Sequence, residues 1–440
     1  MYILKTSFTF SLSALVLCLV DTSLLADSID FHFPDLPKII EQLPGNSPRL
    51  VEQQLITEEE EAKAEGVSSR KGLKVGVSVN GYSIHEDRPK QDFEHRYKAF
   101  AGLTIRKPLY HWGILEADEK ISQLFVKNTV KQFDILKRSM VTETRSRFLN
   151  LVKLAFKSRL ARDRVKIASQ LRDSALEKSK LGLIDGIAVQ GAERQKLDAE
   201  MGYSEVLIDL NYSLADFREF TGYRDSVDFT PSNGFLQFCL TNKFGAQEPI
   251  LISALSSLED EELSNLIKVE EMRIYSANHA RFPKFDLMGS YYQDQVDLTN
   301  TAGTLDRNNF IVGLEAKWEI WDSFKSRKDR ESASARKRRL EFMQERMARE
   351  KRIELNYLSE KLGLFRQKID LSKSLITFAQ SKLEKSVLEF EQNRISSVEN
   401  FQAHLDLDQA RLENLTSVCI FFATLDQYNM SLIPNSSEEK

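Results

Sequence analysis

Apolar and polar residues alternate with period two in four segments of this chain and with helical period through most of the rest. In the first segment Leu73, Val75, Val77 and Val79 share a face, with Lys74, Ser78 and Asn80 opposite. In the second, Ala99, Ala101, Leu103 and Ile105 oppose Lys98, Thr104 and Arg106. In the third, Phe285, Leu287 and Tyr291 oppose Lys284, Asp286 and Ser290. In the fourth, Phe310, Val312, Leu314, Ala316, Trp318 and Ile320 oppose Glu315, Lys317 and Glu319. The alternation predicts strands over 72–84, 97–109, 283–293 and 309–321, each with one apolar and one polar face. Two readings are open for any one of them: a half-buried sheet of a soluble domain, or a tilted membrane strand of roughly ten residues. Tyr110, Trp112, Trp318 and Trp321 gather where the second strand of each pair ends, which suits either an interfacial aromatic girdle or an ordinary aromatic core.

Long helical stretches follow each strand pair. Residues 114–181 hold no Pro or Gly, and 323–392 hold only Gly363. Each predicts an arm of about 100 Å if straight, and helices of that length need partners to be stable in water. Shorter arms follow over 187–221 and 397–430. In the last one Phe401, Leu405, Asp408, Leu412, Leu415, Cys419 and Phe422 recur in steps of four and three, the spacing of a coiled-coil seam. A helix precedes each strand pair too, over 47–70, with Ser47 as N-cap before Pro48, and over 256–281. The breaks at Gly182 and Asn393 lie 211 residues apart, as do Pro108 and Glu319, and Ala192 and Ala403. A fixed offset shared by strands, helices and breaks marks a duplicated unit. The copies occupy 27–222 and 251–432, with hairpins over 113–221 (tip 182–187) and 323–430 (tip 393–397). The linker 223–250 carries an apolar run, Phe235 to Leu240, expected as a small strand. The tail 433–440 is expected to be disordered.

Composition narrows the classes. Charged residues are 29% and Gly plus Pro only 28 of 440, which suits long solvated helices better than a compact enzyme. A net charge of −4 gives no footprint for nucleic acid. Lys5, the apolar run Phe8 to Val20 and Ala26 read as an export signal over 1–26. Leu15-Val16-Leu17-Cys18 offers a second processing route, lipidation at Cys18, although Leu17 is larger than the residue usual there. No other segment is apolar for about 20 residues. Cys239 and Cys419 remain in the exported chain, and sequence leaves their pairing open. The six histidines have no metal-ligand spacing. No phosphate loop, dinucleotide fingerprint or nucleophile elbow occurs. No enzyme, cofactor or metal is expected.

The order of elements over roughly 36–430 resembles the TolC-like outer-membrane efflux protein family. The strongest local pieces are Lys107-Pro108-Leu109-Tyr110-His111-Trp112-Gly113, where a strand turns into a long helix, and Phe282-Pro283-Lys284-Phe285-Asp286-Leu287 at the third strand. Gly182-Leu183-Ile184-Asp185 and Asn393-Arg394-Ile395-Ser396 resemble the family's two tip turns. No single motif is sharp; their doubled order is specific.

The resemblance implies a mainly α protomer with four strands that trimerises into a 12-stranded β-barrel and a helical periplasmic tube. It also implies the outer membrane of a Gram-negative-type bacterium, lipid around the barrel, and a periplasmic adaptor and inner-membrane transporter as partners. The duct would serve a tripartite efflux pump or type I secretion. By the same resemblance Gly182, Leu183, Ile184, Asn393, Arg394 and Ile395 form the adaptor-docking tip, and Glu399 and Gln402 line the periplasmic aperture. Glycine takes a positive φ cheaply, which a helix reversal needs at 182, and Asn is next best at 393. This chain departs from the family in having Ala188 where an acid is common, so apolar contacts replace an ionic latch. The rival reading is a periplasmic coiled-coil adaptor or a non-conducting envelope scaffold.

Overall fold

A computed structural model describes residues 29–86, 94–242, 258–296, 305–392 and 394–432. The export signal 1–26, Cys18, Asn393, the tail 433–440 and linker residues 243–250 lie outside the described residues. The chain forms two compact units. A sheet unit comprises Gln53–Phe133 and Leu258–Ala348, and a helical unit comprises Met1–Glu52, Asp134–Ser257 and Arg349–Lys440.

In chain order the elements are α1 (Ile29–His32), α2 (Asp35–Asn46), α3 (Pro48–Ser68), a 3-10 turn (Ser69–Lys71), β1 (Lys74–Glu86), β2 (Glu94–Tyr110), α4 (Ile114–Lys180) and α5 (Gly186–Thr221). Then come α6 (Asn233–Thr241), α7 (Leu258–His279), β3 (Lys284–Val296), β4 (Leu305–Lys317), α8 (Lys325–Glu391) and α9 (Ser397–Leu432). The duplication is exact in the helices: α4 and α8 each have 67 residues and α5 and α9 each have 36. All four boundaries repeat at the offset of 211.

The sheet unit is built on one antiparallel sheet in the order β1-β2-β3-β4. The two strand pairs read from the sequence join through β2 and β3. Val77, Leu103, Tyr291 and Phe310 lie in register across all four strands, as do Val75, Ile105, Gly289 and Val312. In β1 and β4 this apolar face is bare: Val77 is 77% exposed and Leu314 74%. The fourth strand ends at Lys317, short of the expected Trp321. Lys317 pairs with Lys284, the first residue of β3, so no partner strand continues beyond it. α7 buries Leu258, Leu263 and Val269 and adds polar contacts: Asn265 donates to Asn128 Oδ1 (2.9 Å), and buried Glu270 accepts from Arg336 (3.0 Å) and, within the helix, from Arg273 (2.5 Å).

The helical unit holds an aromatic core. Phe33 meets Phe148 and Phe235 edge-on, and Phe229 meets Phe148 and Phe217, at centroid distances of 5.0–5.8 Å. These geometries suit ring quadrupoles. The expected seam of α9 is buried at Phe401, Leu415, Cys419 and Phe422, but so are Ala403, Leu407, Ala410, Val418 and Phe421. The helix is therefore covered on two sides rather than along one seam. Asp408, the polar member of the seam, meets Arg164 at 3.5 Å. Cys239 and Cys419 are free thiols in the same core.

Two expectations are corrected here. Phe235 to Leu240 belongs to α6, not to a strand. Ser232 caps it by accepting from Phe235 N (3.1 Å), and Phe235 and Cys239 bury one helical face. Ser47 does begin α3, but its hydroxyl donates to Phe220 O (3.0 Å) rather than capping through its side chain.

That contact locks the α2–α3 junction onto the end of α5. Gly222 follows with φ +70°, and a Cβ there would lie 2.0 Å from Asn46 O. Gly222→Ala therefore meets both backbone strain and a backbone clash, and an expected loss of at least about 2 kcal/mol. Gly191, in α5 with open space around it, is the control: Gly191→Ala is expected to stabilise by about 0.5–1 kcal/mol. Denaturant unfolding of the two variants checks both signs.

Arg145 ties three segments of this unit together, bonding Asp30 (2.6 Å) and Asp426 (3.4 Å). Burial pushes the Asp426 carboxyl up to about 6, with Arg145 opposing the shift and Asp30 adding to it. The folded chain thus holds this proton more tightly than the unfolded one. The group destabilises the fold at pH 7, and that cost disappears as pH falls through 6 toward 4. Asp426→Asn is expected to flatten this limb of the stability–pH profile, measured by thermal unfolding from pH 7 to 4.

Candidate functional site

Three features of the described residues have functional geometry: the strand-to-helix junctions, the hairpin tips and two exposed apolar stripes.

At the first junction β2 bulges between Pro108 and Tyr110. Trp112 and Gly113 then take φ of 56° and 76°, turning the chain into α4. Exactly one repeat later Ser323 and Phe324 take φ of 54° and 66° before α8. Glycine eases the first turn, whereas Phe324 accepts a strained conformation. There Asp322 compensates, its carboxylate accepting from Ser326 N at 2.8 Å. The two sequence motifs that carry the family resemblance touch at the first junction. His111 Nε2 lies 2.7 Å from Asp286 Oδ1, Trp112 Nε1 donates to Pro283 O at 2.7 Å, and Trp112 packs on Phe282 at 4.9 Å.

Three of the four aromatics are more than half exposed, Tyr110 among them at 53%. Trp112 is largely engaged, with Tyr110 at 5.0 Å from its ring. Trp318 and Trp321 are exposed, Trp321 at 66%, although Trp318 Nε1 donates to Arg281 O at 2.9 Å. Sequence reading missed the His111–Asp286 pair and exposed Phe324, and it placed Ile320 on the apolar face of a strand that ends at Lys317; Ile320 is exposed beyond that end.

At the first tip Gly182 has φ +72°, and Leu183 N reaches back to Lys178 O at 2.9 Å. The equivalent bond in the second tip runs from Arg394 N to Glu389 O, also 2.9 Å. This six-to-one bond is the Schellman closure of a helix C-terminus. Asp185 caps α5 by accepting from Ala188 N (2.9 Å). Both turns then line one cleft of about 480 Å³, with Ile184 and Leu183 from the first and Ile395 and Ser396 from the second, beside Leu171 and Phe390. Ile184 and Ile395 are half-buried there. Leu183 stays 69% exposed, and so do Leu181 and Ile187, which the sequence reading did not single out.

Glu399 forms a capping box with Ser396: its Oε2 accepts from Ser396 N (2.8 Å), and Glu399 N donates to Ser396 Oγ (3.2 Å). Ser396 N and the Ser396 hydroxyl (3.0 Å), both donating to Oε2, hold the carboxyl below the usual range. The S-x-x-E pattern was the signal for it. Gln402 donates to Asp406 Oδ1 at 2.9 Å, and Lys382 binds the same carboxylate at 2.6 Å. Gln402 also lines a second cleft of about 500 Å³ among α4, α5 and α9, with Leu160, Val206, Phe401 and Leu405 as its apolar floor.

Finally, α8 exposes Tyr357, Leu364, Leu371 and Phe378 at steps of seven, Phe378 to 70%. On α5, Leu197, Met201, Ile208 and Tyr212 are exposed at steps of four, seven and four. Exposed apolar residues at heptad spacing have the pattern of a coiled-coil face.

No family model matches the sequence, and no curated protein matches it. Solved structures do match in fold. The CmeC outer membrane channel of Campylobacter jejuni superposes with a TM-score of 0.76 at 15% identity, over 93% of this chain and 88% of that one. The outer membrane protein VceC of Vibrio cholerae gives 0.70 at 10%, over 92% and 98%. The MtrE outer membrane channel of Neisseria gonorrhoeae, in its open state, gives 0.64 at 13%, over 90% and 88%. This chain has the fold of the outer-membrane channels. Identity this low speaks for the fold alone, and the match runs nearly end to end, so both copies of the repeat are included.

Proposed function

We propose that the protein is a trimeric outer-membrane channel, the exit duct of a tripartite efflux pump or type I secretion system. The observation that carries this reading is an open sheet whose two edge strands, β1 and β4, carry a bare apolar face. Edge strands of 13 residues are a liability in water. Four strands are too few to close a barrel, whereas three copies supply twelve. In that barrel Val75, Val77, Phe310 and Leu314 face lipid, and Arg106, paired with Glu315 at 2.9 Å, faces the lumen. Tyr110, Trp112, Trp318 and Trp321 sit at the interfacial level. The exposed stripes of α5 and α8 join neighbouring protomers into the periplasmic tube.

The tip performs the docking. Leu183, with Gly182 and Ile184 behind it, and Arg394 and Ile395 with Asn393, present the surface that a periplasmic adaptor engages on behalf of an inner-membrane transporter. Glu399 and Gln402 lie just inside, three of each per trimer, and the ring of Glu399 carboxylates favours cations at the aperture. Transport through such a duct needs no bond chemistry. The names of the matched channels, CmeC and MtrE among them, support the same assignment. Planar-bilayer recording of the purified protein tests it. Discrete cation-preferring conductance is expected, with weaker cation preference in Glu399→Ala; a trimer that never conducts under any voltage supports a scaffold instead.

A further inference from the structure

The first turns of α8 carry a charge that the fold does not explain. Residues 325–339 contain eight Lys or Arg against Asp329 and Glu331, a net charge of +6. The duplication provides an internal control. One repeat earlier, at the start of α4, residues 114–128 contain Glu116, Asp118 and Glu119 against Lys120 and Lys127, a net charge of −1. The same turn into the same 67-residue helix therefore does not require cations. It is also a poor place for them: α8 has no acid in its first turn, and the helix dipole there opposes positive charge.

Neighbouring residues account for half of the cluster. Arg336 bonds Glu270 (3.0 Å) and Lys337 bonds Glu271 (2.8 Å), both on α7, while Arg327 and Lys328 share Glu331. Lys325, Arg330, Arg338 and Arg339 meet no carboxylate among the described residues. Stepping about 100° per residue, Arg327, Lys328, Arg338 and Arg339 fall on the side opposite Ala333 and Leu340, which are buried. All four are exposed. Immediately before them come Trp318, Ile320, Trp321 and Phe324, each more than half exposed. Only seven residues separate the end of β4 from the start of α8. Exposed aromatics, then outward Arg327 and Lys328 about one turn on, with Arg338 and Arg339 about three turns further along α8, form a layered pattern like that of a membrane interface, rings at the headgroup level and cations on the polar side of it.

We propose that Arg327, Lys328, Arg338 and Arg339 bind the anionic phospholipid headgroups of the periplasm-facing leaflet around the channel. This rests on the barrel reading above and adds a ligand to it. Arg327 and Lys328 share one carboxylate, Glu331, so the four cations leave a net three charges per protomer, and three copies make a basic collar of nine beneath the barrel. The collar recruits phosphodiester headgroups with net negative charge and fixes the depth at which β4 leaves the bilayer.

The test uses the full-length protein in a neutral detergent, titrated with phosphatidylglycerol or phosphatidylcholine and read by native mass spectrometry. Phosphatidylglycerol is expected to bind at least about tenfold more tightly, with the preference shrinking as salt rises. The quadruple variant R327Q/K328Q/R338Q/R339Q is expected to lose the preference while remaining trimeric and conducting. The charge-retaining R338K/R339K is expected to keep most of it, which separates charge from fold. Wild-type protein with no headgroup preference, or a quadruple variant with the preference intact, overturns the proposal. A quadruple variant that falls apart into protomers, with no anionic lipid on the wild type, assigns the cluster to a neighbouring copy and also overturns it. The barrel reading fails separately, if the wild type never enters the outer-membrane fraction.

Discussion

Leu314→Arg is expected to abolish assembly of the protein in the outer membrane, while Glu315→Gln, one residue along the same strand, leaves assembly intact. Leu314 stands on the bare face of β4, in register with Leu287, and is 74% exposed among the described residues. In a barrel that face meets lipid, where an arginine near the bilayer midplane costs about 2–4 kcal/mol per protomer. Three symmetric copies multiply the effect. Glu315 points the other way and pairs with Arg106 at 2.9 Å. Arginine at 315 would face Arg106 directly, so glutamine is the appropriate control for the polar face. Heat-stable trimer in outer-membrane fractions is the readout. Equal assembly of both variants would show that the apolar face is covered by protein rather than by lipid.

The second large effect concerns the helices. Leu371→Asp combined with Phe378→Asp is expected to convert trimer to protomer in detergent, with secondary structure retained. Both residues lie on the exposed heptad stripe of α8. Neither belongs to the buried core, which is built instead on Leu355, Leu358, Leu362 and Ile369 of the same helix. A change on an outer face that disrupts only assembly is the signature of an interface; each buried carboxylate there costs several kcal/mol unless paired. Size-exclusion chromatography with circular dichroism separates the outcomes. If the double variant stays trimeric, these stripes face water or another partner.

Much of the architecture was legible because two periodicities and one offset were written into the chain. Val75, Val77, Val79 and Phe310, Val312, Leu314 fixed which face of the sheet is apolar before any pairing was known. The constant 211 carried the helix ends, so that a glycine with positive φ at 182 could be read from its place in the pattern. What failed had physical causes. Phe235 to Leu240 is too short a run for its period to distinguish helix from strand, and the Ser232 cap decided it. The helices α1 and α2 were hidden by Pro34, Pro37 and Pro44, which punctuate the sequence although Leu36, Ile39 and Leu43 bury fully. β4 stopped early because its partner β3 begins at Lys284, a fact of register and not of residue preference.

The candidate site was legible unevenly for the same reason. Leu183 and Ile184 were marked as one docking pair; both line the tip cleft, but Leu183 stays exposed whereas Ile184 is half-buried beside Ile395. Glu399 was read for its charge, whereas its nearest partners are Ser396 N and Oγ. The His111–Asp286 contact joins residues 175 apart and exists because β2 pairs with β3, which neither strand announces on its own.

Trimerisation by barrel closure is the claim on which the rest depends. The mass of the detergent-extracted protein from the outer-membrane fraction, by light scattering corrected for detergent, tests it most directly. Three protomer masses are the predicted result. A soluble monomer or dimer in the periplasm would contradict it, because four strands with bare edges and an uncovered apolar face would then have to be closed by something other than two more copies of the chain.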